Sequence, residues 1–497
     1  CCFAALSMVG AISCNNDDNK DEIAIENPSN SSSDVQFFGL TESNELVSLS
    51  TKNVGTFDLK KTITGLSTNE KLMSIDFRPA TGELYAVSNL SKIYIINTET
   101  AVARVLNSTS FSPAISGSIA SIDFNPTSDR IRLVTNTGQN IRIHPETGAI
   151  AASDLTITNS SSITGIAYSN SFAGAETTTL YDIDVTGGKL FKQDPPNNGS
   201  LILVGSLGIT FTGQAAFDIS PDNGAAIMAA STGITNNVYS VDLMSGKATS
   251  IGALSQKLID IAIPTNPVAY AINNANEMEI FNPNFPKPIK KVITGLQSSE
   301  LILGLDFRPS NSQLYALGSS SRIYTINLGT GVATTVGTGA LSSTLSGTEF
   351  GFDINPLTDR IRIVSNLGQN LLVNPNTGAV STVDTSINPV PAALGAAAYS
   401  NNFAGTTSTT LYVIDHNTDK LYTQSATGGT LTSVGSLGIN IAAANGFDIG
   451  GKSQKAYLLA SIGSETKIYT TNLATGSTTS LSTYPNPIKA FAIGLGF

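Results

Sequence analysis

Six aspartates occupy one recurring position in a repeating pattern: Asp76, Asp123 and Asp218, then Asp306, Asp353 and Asp448. Each ends a short apolar run just before a turn, as in SIDFRP (74–79), IDFNP (122–126) and LDFRP (305–309). If successive repeats bring these carboxylates to one axis, they offer a set of oxygens to a hard cation such as calcium. The local alternative is that each Asp accepts N–H groups of the tight turn that follows it, a habit of Asp at such positions. One carboxylate per repeat favours the local use.

A second set pairs guanidinium groups with amides. Arg130 and Arg132 stand two apart after Asp129, Arg360 and Arg362 stand two apart after Asp359, and each pair is followed by an Asn-x-Gly-Gln-Asn loop carrying Gln139 and Asn140, or Gln369 and Asn370. Residues two apart share a strand face. Arginine forks beside amides suit recognition of a carboxylate or sugar hydroxyl, and suit equally an ion-pair network with neighbouring aspartates.

Most enzyme chemistries lack their parts. The only histidines are His144 and His416, and the repeat-equivalent positions hold Asn374 and Val185. All three cysteines, Cys1, Cys2 and Cys14, precede the body of the chain. Ser-His or Cys-His catalysis and zinc sites are therefore not expected. A carboxylate-pair hydrolase or lyase acting on glycans stays open, since glycoside hydrolysis needs only two suitably spaced acids. A net charge of −10 with 27 basic residues gives no footprint for nucleic acid.

The elements that would position these residues are short strands. Only 13% of residues are charged and Trp is absent, and Gly, Ser, Thr and Asn punctuate alternating apolar runs, a strand-and-turn composition. The stretch DFNPTSDRIRLVTNTGQNIRIHPETGA (123–149) returns 230 residues later as DINPLTDRIRIVSNLGQNLLVNPNTGA (353–379), with 16 of 27 positions identical. Within each copy, four short strands recur about every 46 residues, the length of a four-stranded propeller blade. Five such units fill each copy.

The fold expected is therefore all-β, a β-propeller of ten four-stranded blade units: one ten-bladed ring or, alternatively, two five-bladed propellers. Two features favour the single ring. The terminal runs FFGLTESNELVSLS (37–50) and KAFAIGLGF (489–497) look like complementary parts of one blade, and PTNP (264–267) is a short link for crossing between two propellers. The expected segments are a signal remnant at 1–14, a disordered acidic tether at 15–34, and repeats at 35–266 and 267–497.

The run CCFAALSMVGAIS (1–13) is too short to span a bilayer and reads as the apolar core of a secretory signal. It ends in AISC (11–14), which resembles a bacterial lipobox with Cys14 as the lipidated residue. The polar segment that follows reads as a tether, and Asn15 favours the outer membrane.

The strings DFRPATGELYA, DFNPTSDRIRLVTNTGQNIRIHPETGA, YSNSFAGAETTTLYDID and DPPNNGSL, in that order, resemble the family known as domain of unknown function 4394, across roughly residues 35–497. The resemblance implies a propeller and an exported setting, without a reaction. In the second copy the PPNNG run is replaced by SATGG (425–429).

The functional expectation is an exported, lipid-anchored, non-enzymatic binding or interaction module with a glycan, peptide or protein ligand. Its expected location is the outer membrane or cell surface, with a periplasmic or secreted protein as the alternative. The other two readings are the carboxylate-dependent glycan enzyme and a structural envelope protein.

Overall fold

A computed structural model describes residues 34–157, 162–389, 392–443 and 445–497. Cys14, the signal remnant and all of the tether except Asp34 lie outside the described residues. Ten four-stranded antiparallel sheets make up the described chain, with one short 3₁₀ turn at Pro196–Asn198. No helix among the described residues is long and apolar enough to cross a membrane.

Eight sheets are meanders of four consecutive strands. In the first of them Leu72–Phe77 is innermost, followed by Leu84–Ser88, Ile93–Ile96 and Ala103–Val105. Burial falls outward. LYAVS (84–88) is wholly buried, whereas LKKT (59–62), the outer strand of the preceding sheet, is almost wholly exposed. Inner strands, covered on both faces, are therefore almost continuously buried, and outer strands are largely open to solvent.

The remaining two sheets are completed out of sequence order, and they overturn the expected single ring. Asp260–Ala262 pairs with Gln36–Leu40, placing Ala262 opposite Phe38, and Ile488–Ile493 pairs with Ala269–Asn273, placing Ala492 opposite Tyr270. In a ten-bladed ring the first and last strands of the chain would have shared one sheet. Instead each copy supplies the fourth strand of its own incomplete sheet. The link is long enough for this: Ile263–Val268 is six residues, which reach about 20 Å when extended, and the two copies lie against each other.

Each sheet is named below by a residue of its inner strand. In the first copy the Asp76 sheet lies beside the Asp123 sheet, then come the Tyr168, Asp218 and Asp260 sheets, and the Asp260 strand again neighbours Leu72–Phe77. The second copy repeats this order through the Asp306, Asp353, Tyr399, Asp448 and Ala492 sheets. The ten apolar clusters follow the same order, one between each pair of neighbouring sheets. Between the Asp76 and Asp123 sheets, for example, Tyr85 meets Phe124 edge-on at 5.1 Å. Each such ring buried from water contributes about 1.5–3 kcal/mol. Small inner-strand residues let the strands approach: a Cβ on Gly446 would lie 2.1 Å from the Phe491 Cβ.

The copies meet along a seam of backbone acceptors. Tyr270 donates its hydroxyl to the Ala80 carbonyl at 2.8 Å, Gly496 N–H reaches Thr81 O at 2.8 Å, and Arg78 Nη1 reaches Ser312 O at 2.9 Å. The Phe497 ring covers Gly82, whose φ of +75° and lack of a Cβ admit it.

Candidate functional site

An innermost strand has one edge with no fifth strand to pair with, so its outward N–H groups need other acceptors. The inner-strand side chains of the preceding sheet supply them. Ser74 Oγ accepts Ile122 N–H at 2.8 Å and Asp76 Oδ2 accepts Phe124 N–H at 2.7 Å, two residues apart on both strands. Ser121 and Asp123 do the same for Ile166 and Tyr168, at 3.1 and 3.0 Å. Thr164 Oγ1 accepts Ala215 N–H, Asp218 accepts Ile263 N–H at 2.5 Å, and Asp260 Oδ2 accepts Ile75 N–H at 2.9 Å. The sequence of acceptors thus returns to its starting sheet.

The second copy keeps three of these clamps: Asp306 to Ile354 at 2.7 Å, Asp353 to Tyr399 at 3.1 Å and Asp448 to Ile493 at 2.7 Å. The expected partner, the turn after each Asp, is not the one used. Asp76, Asp218 and Asp448 also take the next residue's N–H, at 2.6–2.7 Å, and their second oxygen crosses to the neighbouring sheet.

The carboxylates do converge. One oxygen from each of Asp76, Asp123 and Asp218 lies within 4.8 Å of the others, and Asp306, Asp353 and Asp448 repeat the arrangement. Burial, then the neighbouring Asp218 charge, pushes the Asp76 carboxyl well above the usual range, and burial with the charges of Asp76 and Asp218 does the same to Asp123. Burial lifts Asp218 to about 7 and Asp260 to about 8, opposed by the N–H groups they accept. Burial raises Asp306, reinforced by Asp448, and Asp353, reinforced by Asp306 and Asp448, and it lifts Asp448 to about 7. Such spacing fits three oxygens around one calcium ion, which takes six to eight. Both oxygens of Asp76, Asp218 and Asp448 already hold N–H groups, and Asp306 Oδ1 is buried with no partner.

The arginine and amide set is built into the packing. Arg132 is buried and donates to Asn140 Oδ1 at 2.8 Å, Asp154 Oδ2 at 2.5 Å and Asn197 Oδ1 at 2.7 Å. Asn140 in turn donates to the carbonyls of Leu155 and Pro196, so the PPNNG run is held to the Asp123 sheet. Arg362 reaches Asn370 and Asp384, both at 2.7 Å, and Asn370 holds Thr385 O and Ala426 O. Gln139 and Gln369 each staple a loop, accepting Ser116 N–H or Ser346 N–H at 2.9 Å and donating to Ala114 O or Thr344 O. Arg130 and Arg360, half-buried, bond the carbonyls of Asp129 and Asp359 beside them.

His144 and His416 lie in different copies, and burial lowers both below the usual imidazole value. Neither makes a hydrogen bond to a candidate nucleophile among the described residues.

Several polar residues escaped the sequence reading. Arg78 is wholly buried between Asp129, at 2.8 Å, and Glu146, at 2.7 Å. The signal was present in the repeated DFRP and TSDR or LTDR strings, which pair Arg308 with Asp359 in the second copy. Asp182 is buried with neither oxygen partnered, and the second copy has Val413 there. A cavity of about 370 Å³ also opens where the copies meet, lined by both.

The family model of a domain of unknown function, DUF4394, matches twice, over residues 45–262 and 277–493. No curated protein matches the chain.

Proposed function

Starting from a chain that belongs to the DUF4394 family and carries that domain twice, we propose that each copy is a closed five-bladed propeller. The pair acts as an exported, lipid-anchored, non-enzymatic binding module. Three observations support the propellers: the closing strand supplied within each copy, the apolar cluster between every pair of neighbouring sheets, and Gln214. Its amide reaches from the Asp218 strand to Met73 O and Ala120 O at 3.0 and 3.3 Å, in the two sheets not adjacent to its own. A side chain spans opposite sheets only across a narrow axis.

One observation carries the non-enzymatic reading: the most suggestive acids accept backbone N–H groups of the adjoining sheet. A carboxylate fixed in that way, buried with an oxygen on a backbone N–H of the next sheet, serves blade-to-blade closure and is turned away from any substrate in solvent. The arginine and amide sets are engaged in the same manner. What stays open to a ligand is the surface and the seam between the copies. Export and anchoring rest on AISC (11–14) and the polar segment after it.

The test is a glycan and envelope pull-down with the mature chain, alongside Asp123→Asn and Asp353→Asn. Retained binding without turnover fits the module. A glycan that is cleaved by the wild type and spared by Asp123→Asn overturns it. Labelling with a palmitate analogue should mark the wild type and not Cys14→Ser. A second reading, calcium on the Asp306, Asp353 and Asp448 oxygens, is favoured by the unpartnered Asp306 Oδ1 and is tested by calcium titration calorimetry.

A further inference from the structure

We propose that the cavity at the seam is the ligand site of the module and that it takes a short neutral saccharide of one or two rings; this rests on the binding-module reading. Its volume, about 370 Å³, falls in the range of small-molecule sites. Neither copy forms it alone. The first copy contributes Glu83, Glu99, Val102 and Arg104, and the second contributes Phe403 and Lys452.

The lining specifies the chemistry in three steps. Glu83 Oε2 is buried and has no hydrogen-bond partner. Its other oxygen lies 3.5 Å from Arg104 Nη2, while the Arg104 guanidinium donates to Ser310 O at 2.8 Å and Pro309 O at 2.9 Å in the second copy. The arginine is thus held by the seam, and the carboxylates of Glu83 and Glu99 in the lining give the cavity acceptors for O–H or N–H donors. Glu83 and Glu99 balance Arg104 and Lys452, so the lining as a whole favours a neutral ligand over an ion. Phe403 and Val102 are partly exposed at 36% and 50% and offer apolar surface. A sugar ring combines hydroxyl donors with C–H faces that lie on such surface.

The duplicated framework does not explain these residues. The second copy has Gln313 and Thr334 at the positions of Glu83 and Arg104, so the charged pair belongs to the first copy alone. Val332, the counterpart of Val102, is similarly exposed at 42% and does not line the cavity. It supplies an internal control.

The experiment is calorimetry and saturation-transfer NMR on the mature full chain with maltose, cellobiose, lactose and chitobiose. Val102→Trp, which fills the cavity from an exposed position, should weaken the best binder at least tenfold, and Phe403→Ala should weaken it several-fold. Val332→Trp should leave it unchanged. Circular dichroism melts of all three variants check that the fold is kept. If a sugar binds and Val102→Trp matches Val332→Trp, the cavity is not the site and the module reading survives. If none of the four sugars binds while the envelope pull-down is positive, the saccharide assignment falls and the module reading again survives. A negative pull-down as well removes both.

Discussion

The two copies share a framework and differ in how much polarity they bury. In the first, Ser74, Ser121 and Asp260 add a second layer of clamps beside Asp76, Asp123 and Asp218. In the second, Gly304, Gly351 and Ala490 replace them, and closeness takes the place of hydrogen bonding. A Cβ on Gly304 would sit 2.4 Å from the Phe352 Cβ. The same structural need, holding the inner strands of neighbouring sheets together, is met by polar side chains in one copy and by backbone approach in the other. Arg78 shows the same divergence. It is fully buried, with Asp129, Glu146 and a carbonyl of the other copy around it, whereas Arg308 meets Asp359, whose side chain is 35% exposed, and has Asn376 where Glu146 stands.

The largest expected contrast is in pH dependence. Asp218 and Asp448 are held to about 7 and Asp260 to about 8, all above the value in an unfolded chain. The folded state therefore keeps protons that the unfolded chain releases above about pH 4. The stability these groups contribute is full below that pH, falls as pH rises through 7 to 8 and then levels, by up to roughly 1.4 kcal/mol per pH unit for each such group. Denaturant titrations from pH 4 to 9 should show this fall, and Asp260→Ala, which installs the second-copy residue, should make it shallower. An unchanged slope would remove Asp260 from the comparison.

Arg78→Met should cost about 3–5 kcal/mol, because it leaves Asp129 and Glu146 as buried charges without their partner. Arg308→Met should cost about 1–2 kcal/mol, since Asp359 stays partly solvated. Equal losses in urea unfolding would mean that the seam adds nothing to Arg78. Asp182→Val, again the second-copy residue, should stabilise by about 1–3 kcal/mol by removing a buried carboxyl with no partner. A loss would show that Asp182 is engaged in solution. Gln139→Ala and Gln369→Ala should each cost about 1 kcal/mol and to nearly the same extent, because the two loop staples share the same two backbone bonds.

Much of this molecule can be read from its sequence, up to the point where one strand edge meets another. The 230-residue repeat, the four-strand units and the recurring Asp positions follow from local pattern alone. The destination of each Asp does not. Asp76 bonds Phe124, 48 residues away, and no local rule distinguishes that N–H from those of the turn beside it. The midpoint misled for a related reason: linker length limits distance but does not choose between the open edges at Gln36–Leu40 and Ala269–Asn273. Asp182 and Glu83 were missed because the second copy has Val413 and Gln313 in their places, so a search for what the copies share passes over them. The seam cavity has no sequence signature, since its lining comes from both copies.

Closure within each copy is tested most directly by disulfide trapping in the full chain with Cys1, Cys2 and Cys14 changed to Ser, since the rest of the chain has no other cysteine. The pair Phe38→Cys and Ala262→Cys, directly opposite in the first copy's closing sheet, should oxidise to one disulfide with no free thiol by mass spectrometry. The pair Phe38→Cys and Ala492→Cys should keep both thiols. A disulfide in the second pair, with free thiols in the first, would contradict two separately closed copies and restore the single ten-bladed ring.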